Sequence, residues 1–269
     1  MSAASALVAA IQLNSGDDED HNWDRVQALA RRARERGAKL VAFPENLLYE
    51  GRDAGRRQDP AEWGERFSEL ARELEVTLVA GSLREPAGEL AYNTALAYGP
   101  QGQELARYRK IHLFDVDAPG GPRVRESSYL APGDPEQSCV FEAPGVGPVG
   151  IVICYDLRFP ELFRRLVEAG ARTIVVPASF ALGTGKDHWL TLLQARAIEN
   201  QVFVIAPDQF GLKPNKRSTF GKSCVIDPWG SVLAMAREAD EDVVVAELDF
   251  AHQDRIRAAL PCLAHRRLP

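Results

Sequence analysis

The stretch Gly150-Ile151-Val152-Ile153-Cys154-Tyr155-Asp156-Leu157-Arg158-Phe159-Pro160-Glu161 decides how the chain is read. Its apolar, β-branched start reads as a buried strand, and the run stops at a cysteine. Polar residues and Pro160 follow, then Leu162, Phe163, Leu166 and Val167 at helical spacing. Cys154 therefore falls at a strand-to-helix turn, over the carboxyl end of a strand, where open α/β sheets bind ligands. A free cysteine is more often a buried core residue than a reactive one. Here the turn position, the charged run after the cysteine and partner residues elsewhere in the chain favour reactivity.

Working outward, the same alternation recurs on both sides. Before it, strand Ala6–Leu13, helix Asp18–Gly37, strand Lys39–Phe43, helix Ala61–Leu74 and strand Val76–Ser82 lead to Asn93–Tyr98 and Glu104–Tyr108. The last two flank Gly99-Pro100-Gln101-Gly102, a hairpin signal. From Pro148 the order repeats: strand Val149–Ile153, helix Pro160–Ala169, strand Thr173–Val176, helix Asp187–Gln201, strand Phe203–Ala206. Strands near Ser223–Ile226 and Val232–Met235 then flank the turn Asp227-Pro228-Trp229-Gly230, and strand Val243–Leu248 and helix Phe250–Leu260 close the chain. Two such halves are expected to pack sheet against sheet with helices outside. The fold expected is α+β, a four-layer αββα sandwich of two mixed β-sheets. The poorly periodic stretch from Ile111 to Gly133, with Pro119-Gly120-Gly121-Pro122 in its middle, reads as a long functional loop.

Composition bounds the function. A chain of 269 residues, 45% hydrophobic, can bury a large core, and no linker divides it, so one domain over residues 1–269 is expected. The net charge of −6 offers no footprint for nucleic acid. Cys139, Cys154, Cys224 and Cys262 show no CxxC spacing and no close histidine pairing, so neither a metal site nor a disulfide framework is expected. Met1-Ser2-Ala3-Ala4-Ser5 lacks the start of a signal peptide, and no apolar run approaches a membrane span. A cytoplasmic protein with free thiols is the expectation, without a membrane partner.

Three motifs fail on inspection. Gly145-Val146-Gly147-Pro148-Val149-Gly150 matches GxGxxG, but it precedes a strand, and Pro148 removes a backbone donor that a pyrophosphate would need. It reads as a turn between two strands. Gly221-Lys222-Ser223 lacks the leading glycine of a phosphate loop, since Lys216 stands there. No GxSxG elbow occurs.

A thiol nucleophile needs a base and a group to hold the developing oxyanion. His21, His112, His188, His252 and His265 show no orienting partner in the sequence; His188 stands at the start of a helix. A carboxylate is the other choice. Glu45 ends the second strand of the first half much as Cys154 ends the first strand of the second. Lys110 follows the hairpin in Tyr108-Arg109-Lys110-Ile111-His112-Leu113. Taken singly, Glu45 reads as a solvated loop residue and Lys110 as a snorkelling surface lysine.

Together, Pro44-Glu45, the Tyr108–Leu113 segment and Cys154–Glu161 resemble the ordered Glu, Lys and Cys motifs of the nitrilase superfamily of carbon–nitrogen hydrolases. Glu126, in Arg125-Glu126-Ser127-Ser128, matches that family's second glutamate. The resemblance spans nearly the whole chain and implies the αββα sandwich, a homodimer and catalysis by Glu45, Lys110, Glu126 and Cys154 without cofactor or metal. Within the superfamily it is strongest to the amidase branch acting on deaminated glutathione, through His112–Val116, Cys154–Glu161, His188-Trp189 with Ala195–Glu199, Asp227–Gly230 and His265-Arg266-Arg267. The acidic stretch Arg237–Asp242 departs from that branch and implies a different exposed turn.

The chemistry implied is attack by Cys154 on a primary amide carbonyl while Glu45 takes the thiol proton. Lys110 and the backbone N–H of Tyr155 would hold the oxyanion, ammonia would leave, and water would release the acid from a thioester. Glu126 would orient Lys110 or the substrate amide. Partners are thus a small amide and water. Arg158 and His112 are the nearest cationic groups for an acidic substrate; an ion pair of Arg158 with Asp156 or Glu161, and a loop role for His112, are the structural alternatives. Other outcomes of the same triad are an ω-amidase on α-keto amides and an N-carbamoyl amino acid hydrolase. An inactive scaffold is the alternative of another class.

Overall fold

The computed structural model describes residues 4–117, 123–137 and 139–268. The first half runs β1 (Ser5–Gln12), α1 (Glu19–Glu35), β2 (Leu40–Ala42), α2 (Pro60–Leu74), β3 (Thr77–Ala87), β4 (Leu90–Tyr98) and β5 (Glu104–Arg109). A connecting region holds β6 (Asp115–Asp117), β7 (Arg123–Arg125) and β8 (Leu130–Ala131). The second half runs β9 (Val140–Ala143), β10 (Gly147–Ile151), α3 (Pro160–Glu168), β11 (Thr173–Val175), α4 (Leu182–Asn200) and β12 (Phe203–Ala206). It continues through β13 (Phe210–Leu212), β14 (Ser218–Phe220), β15 (Cys224–Ile226), β16 (Val232–Met235), β17 (Asp242–Asp249) and α5 (Phe250–Ala259).

Two mixed sheets result. One has the order β17-β1-β2-β3-β4-β5 with β8 beside β4, the other β16-β15-β12-β11-β10-β9. The strands joined by α1 and α2, and those joined by α3 and α4, pair in parallel, as helical crossovers require; the hairpin strands flank them antiparallel. β17 returns from the second half to pair with β1 from Ser5↔Asp249 to Gln12↔Asp242.

The layers follow from strand alternation. Val8 and Ala10 of β1 share a core with Ile151, Ile174 and Val204 of the other sheet. Ala9 and Ile11, pointing the other way, pack with Val26 and Leu29 of α1 and Phe67 and Leu70 of α2. Leu162 and Phe163 of α3 and Trp189 and Leu193 of α4 join the core of the second sheet. The expected αββα sandwich is the fold observed. Among the described residues, no helix is long and apolar enough to cross a membrane.

Two details differ from the sequence reading. Helix α4 begins at Leu182, not Asp187, so His188 lies inside it. Gly183 and Gly185 are poor helix formers, but Gly185 sits where a Cβ would lie 2.4 Å from Phe220 Cβ, so close packing selects it. The stretch expected as one long loop contains the β6–β7 hairpin, a 3-10 turn at Glu126–Ser128 and β8. Pro119–Pro122 lie outside the described residues.

Candidate active site

Four segments from both sheets converge on Cys154. Strand β10 ends at Ile151, but Val152 N donates to Val175 O (3.1 Å) and Cys154 N to Pro177 O (2.8 Å), carrying the chain past the strand's end. Cys154 then opens a 3-10 turn over Cys154–Arg158 with φ of 47°, a left-handed conformation that costs a non-glycine residue energy. This kink lifts the cysteine out of the strand direction and into a pocket shared with Glu45, Glu126 and Tyr155.

Glu45 is delivered by the end of β2. A Cβ on Gly81 would lie 2.0 Å from Phe43 O and 2.1 Å from Pro44 O, so only glycine lets β3 approach this closely. The register of β3 against β4 shifts between Ala80 and Leu83. Within that irregularity Ser82 Oγ accepts a hydrogen bond from Asn46 N (2.9 Å). Pro44-Glu45-Asn46 is thereby seated on the β3 bulge.

Lys110 follows β5. Its N–H donates to Asn93 O, and its carbonyl accepts from Gly133 N, both at 2.8 Å. Its Nζ, fully buried, donates to Glu45 Oε1 (3.0 Å) and to Glu126 Oε1 and Oε2 (3.1 and 3.0 Å). Glu126 Oε2 also accepts from Phe114 N (2.8 Å). Glu45 is held at both oxygens: Asn93 Nδ2 donates to Oε1 (2.7 Å) and Ser179 N to Oε2 (2.9 Å).

Electrostatics assign the resting protonation states. Burial works to raise the Glu45 carboxyl, but the Lys110 charge and hydrogen bonds from Lys110, the Cys154 thiol and Asn93 outweigh it, leaving Glu45 below its ordinary value. Burial works to lower the Lys110 ammonium, and Glu126, Glu45 and Cys154 overcome it, holding Lys110 well above its ordinary value. Burial, reinforced by the Glu45 charge, pushes the Cys154 thiol well up despite the Lys110 charge. The resting site is therefore a neutral thiol beside a carboxylate and an ammonium.

Glu45, Glu126, Cys154, Tyr155 and Arg158 thus line one pocket, with the Lys110 ammonium buried behind the two carboxylates. His112 does not join them. Its Nδ1 lies 2.7 Å from Asp156 Oδ1, and its ring stacks on Phe159 at 3.6 Å and 6°. His112 is not among the residues lining that pocket, and its contacts with Asp156 and Phe159 favour the structural role over the substrate-binding one expected for it. Arg158 pairs with neither Asp156 nor Glu161. Its guanidinium carbon lies 5.4 Å from the Phe180 ring and 5.9 Å from that of Tyr155, and its Nη atoms 3.4 Å from His188 Nδ1.

Several residues of the site carry no signal in the sequence reading. Asn93 and Ser179 fix Glu45. Ser179 Oγ donates to Glu50, whose carboxylate faces Lys213 at 3.5 Å. Gln209 Nε2 donates to Glu45 O (3.0 Å) and Lys213 Nζ to Gln209 Oε1 (2.7 Å). Ser179 follows β11 as Glu45 follows β2, so the strand-end rule applied to β11 would have found it. Arg84 and Arg217 add two further guanidinium groups to the pocket wall.

The site's likeness to known proteins agrees with its geometry. Residues 7–258 match the family model described as carbon-nitrogen hydrolase. The chain is 42% identical to a deaminated glutathione amidase of Synechocystis over 97% of both chains. It is 37% identical to the human omega-amidase NIT2, over 98% of this chain and 95% of that one. It superposes on Saccharomyces cerevisiae Nit3, a member of branch 10 of the nitrilase superfamily, with a TM-score of 0.86 and 30% identity, covering 98% and 97% of the two chains. This chain belongs to the carbon-nitrogen hydrolase family, the nitrilase superfamily.

Proposed function

We propose that this chain hydrolyses the C–N amide bond of a small acidic amide, deaminated glutathione foremost, through a thioester on Cys154. The observation that carries the reading is the Lys110 ammonium bridging Glu45 and Glu126 beside Cys154, in a pocket whose wall bears Arg84, Arg158 and Arg217. Two carboxylates and one ammonium leave the reacting centre acidic overall. The three guanidinium groups around it supply the positive charge an anionic substrate needs.

In this reading the substrate carbonyl oxygen lies between the Lys110 ammonium and the Tyr155 N–H. Cys154 Sγ attacks the carbonyl carbon as its proton passes to Glu45. The negative charge lost from Glu45 reappears on the oxyanion, so Lys110 faces the same total charge before and after the step, and its environment need not reorganise. Glu126, bound to Phe114 N and Lys110, keeps the ammonium aimed. The tetrahedral centre collapses, the C–N bond breaks, and the leaving nitrogen takes the proton from Glu45. Glu45 then removes a proton from water, which attacks the thioester and frees the acid and the thiol. Deaminated glutathione is a secondary amide, so its leaving group is the amine of cysteinylglycine, not the ammonia expected for a primary amide.

A cytoplasmic homodimer of one catalytic domain over residues 1–269 completes the reading. Ile198 of α4 and Trp229 of the 227–230 turn are exposed, and that turn packs on α4 through Gln194 Nε2 and Gly230 O (2.8 Å). They form an apolar patch that supports a self-association surface; the mass in light scattering tests it.

The test of function uses purified protein with deaminated glutathione, α-ketoglutaramate and N-carbamoyl amino acids, following release of acid and of ammonia or amine. Preference for deaminated glutathione, abolished in Cys154→Ala, is expected. Preference for α-ketoglutaramate would make the chain an ω-amidase, and silence on every amide with an unreactive Cys154 would favour a scaffold.

A further inference from the structure

The three guanidinium groups of the pocket wall divide by their surroundings. Arg158, four residues after Cys154, stands with Phe180, Tyr155 and His188. Arg84 stands with Tyr129, its guanidinium carbon 5.4 Å from that ring, while Nη1 donates to Ala54 O (2.8 Å) and Asp53 O (3.3 Å). Arg217, which enters β14, is half-buried. Its backbone N–H donates to Asn215 Oδ1 (3.0 Å), but its guanidinium has no hydrogen bond or carboxylate ion pair among the described residues. Its carbonyl accepts from Lys213 N (2.8 Å), and the Lys213 ammonium lies 3.5 Å from Glu50, which lines the same pocket. Arg217 is thus tied through Lys213 to the Glu50–Ser179–Glu45 side of the pocket, while Arg158 stands over Phe180 and Tyr155.

Geometry of the reaction orients these two poles. The leaving nitrogen must stand beside Glu45 to receive its proton, so the wall joined to Glu45 through Ser179, Glu50 and Lys213 faces the amine half of the substrate. We infer that Arg217, with Arg84 beside it, binds a carboxylate carried by the amine half of the substrate, while Arg158 serves the acyl half. A half-buried guanidinium with five donors and no acid partner suits a carboxylate in two-point contact. The substrate class is then an amide whose amine half is an amino acid or short peptide with a free carboxyl terminus. This inference rests on the reading of deaminated glutathione as substrate, and it makes Arg217 the residue that separates such an amide from a simple ω-amide.

The test compares kcat/KM for deaminated glutathione and for the same molecule with its carboxyl terminus as a carboxamide, in the wild-type protein, Arg217→Gln and Arg217→Lys. A charge-assisted hydrogen bond predicts a wild-type preference for the free carboxylate on the order of 10–100-fold. Arg217→Gln should bring that ratio close to one, mainly through KM, and Arg217→Lys should restore part of it. Equal wild-type rates on acid and carboxamide would overturn the inference while leaving the substrate reading intact. So would an Arg217→Gln protein that is slower on both but keeps the ratio, since a purely structural role does that. Turnover of α-ketoglutaramate with none of deaminated glutathione would overturn both readings together.

Discussion

Tyr108, two residues before Lys110, donates its hydroxyl to Asp156 Oδ2 at 2.7 Å, and Asp156 lies two residues after Cys154. The same carboxylate accepts from Ile153 N at Oδ2 (2.9 Å) and from His112 N at Oδ1 (3.1 Å), with His112 Nδ1 at 2.7 Å. Residues on either side of Lys110 are thus tied to one side chain in the turn that presents Cys154. Asp156 is fully buried, so these bonds replace the water it has lost.

Replacing Asp156 with Asn exchanges an acceptor for a donor among groups that all donate. We expect Asp156→Asn to lose about 1–3 kcal/mol of stability in urea unfolding, and kcat to fall with it because both the lysine and the cysteine turn lose a common anchor. His112→Ala should lower stability with little change in KM. Arg158→Gln should do the reverse, raising KM for acidic amides while leaving the urea midpoint in place.

Lys110 separates two buried carboxylates. Lys110→Ala should lower kcat by about 10²–10³ or more, the loss of one oxyanion donor. It should also cost roughly 3–5 kcal/mol of stability, because Glu45 and Glu126 are left facing each other without a cation. Glu126→Gln, which keeps an oxygen for Phe114 N, should be milder in both urea unfolding and turnover. A Lys110→Ala protein with most of its turnover would remove the lysine from the chemistry.

The pH profile follows from proton ownership. Glu45 is held below the usual carboxylate range and Cys154 well above the usual thiol range. The active form therefore has Glu45 ionised and the thiol protonated, and kcat/KM should be flat from about pH 6 to 8 and fall only on the acid side. A tenfold rise per pH unit through this window would report a free thiol titrating and contradict base assistance by Glu45. For stability the sign is that of a depressed carboxyl: the contribution of Glu45 is present above its unfolded pKa of about 4.3 and is lost as pH drops through its lower folded value. Acid unfolding of Glu45→Gln should accordingly be less steep than that of the wild-type protein.

The fold was legible because each strand-helix unit carries its own period. Helix α2 shows its stripe of Trp63, Phe67, Leu70 and Leu74, and these residues are buried. Strand β10 reads as an apolar run because both of its faces are covered. Helix α4 was shortened in the reading because Gly183 and Gly185 argue locally against helix, and the contact of Gly185 with Phe220 is set by a hairpin far along the chain. In the site, the charged residues were visible through their resemblance to family motifs. Asn93 and Arg217 were not, since a neutral hydrogen-bond partner within a strand and a lone arginine in a polar turn have no spacing that marks them before the sheets bring them together.

Covalent catalysis by Cys154 is the centre of this account, and acid-quenched protein taken during turnover of an amide tests it most directly, by peptide mapping with mass detection beside Cys154→Ala as control. The acyl mass should appear on the peptide carrying Cys154, with Cys139, Cys224 and Cys262 unmodified and the Cys154→Ala protein inactive. An acyl group on another residue, or sustained turnover by Cys154→Ala, would contradict it.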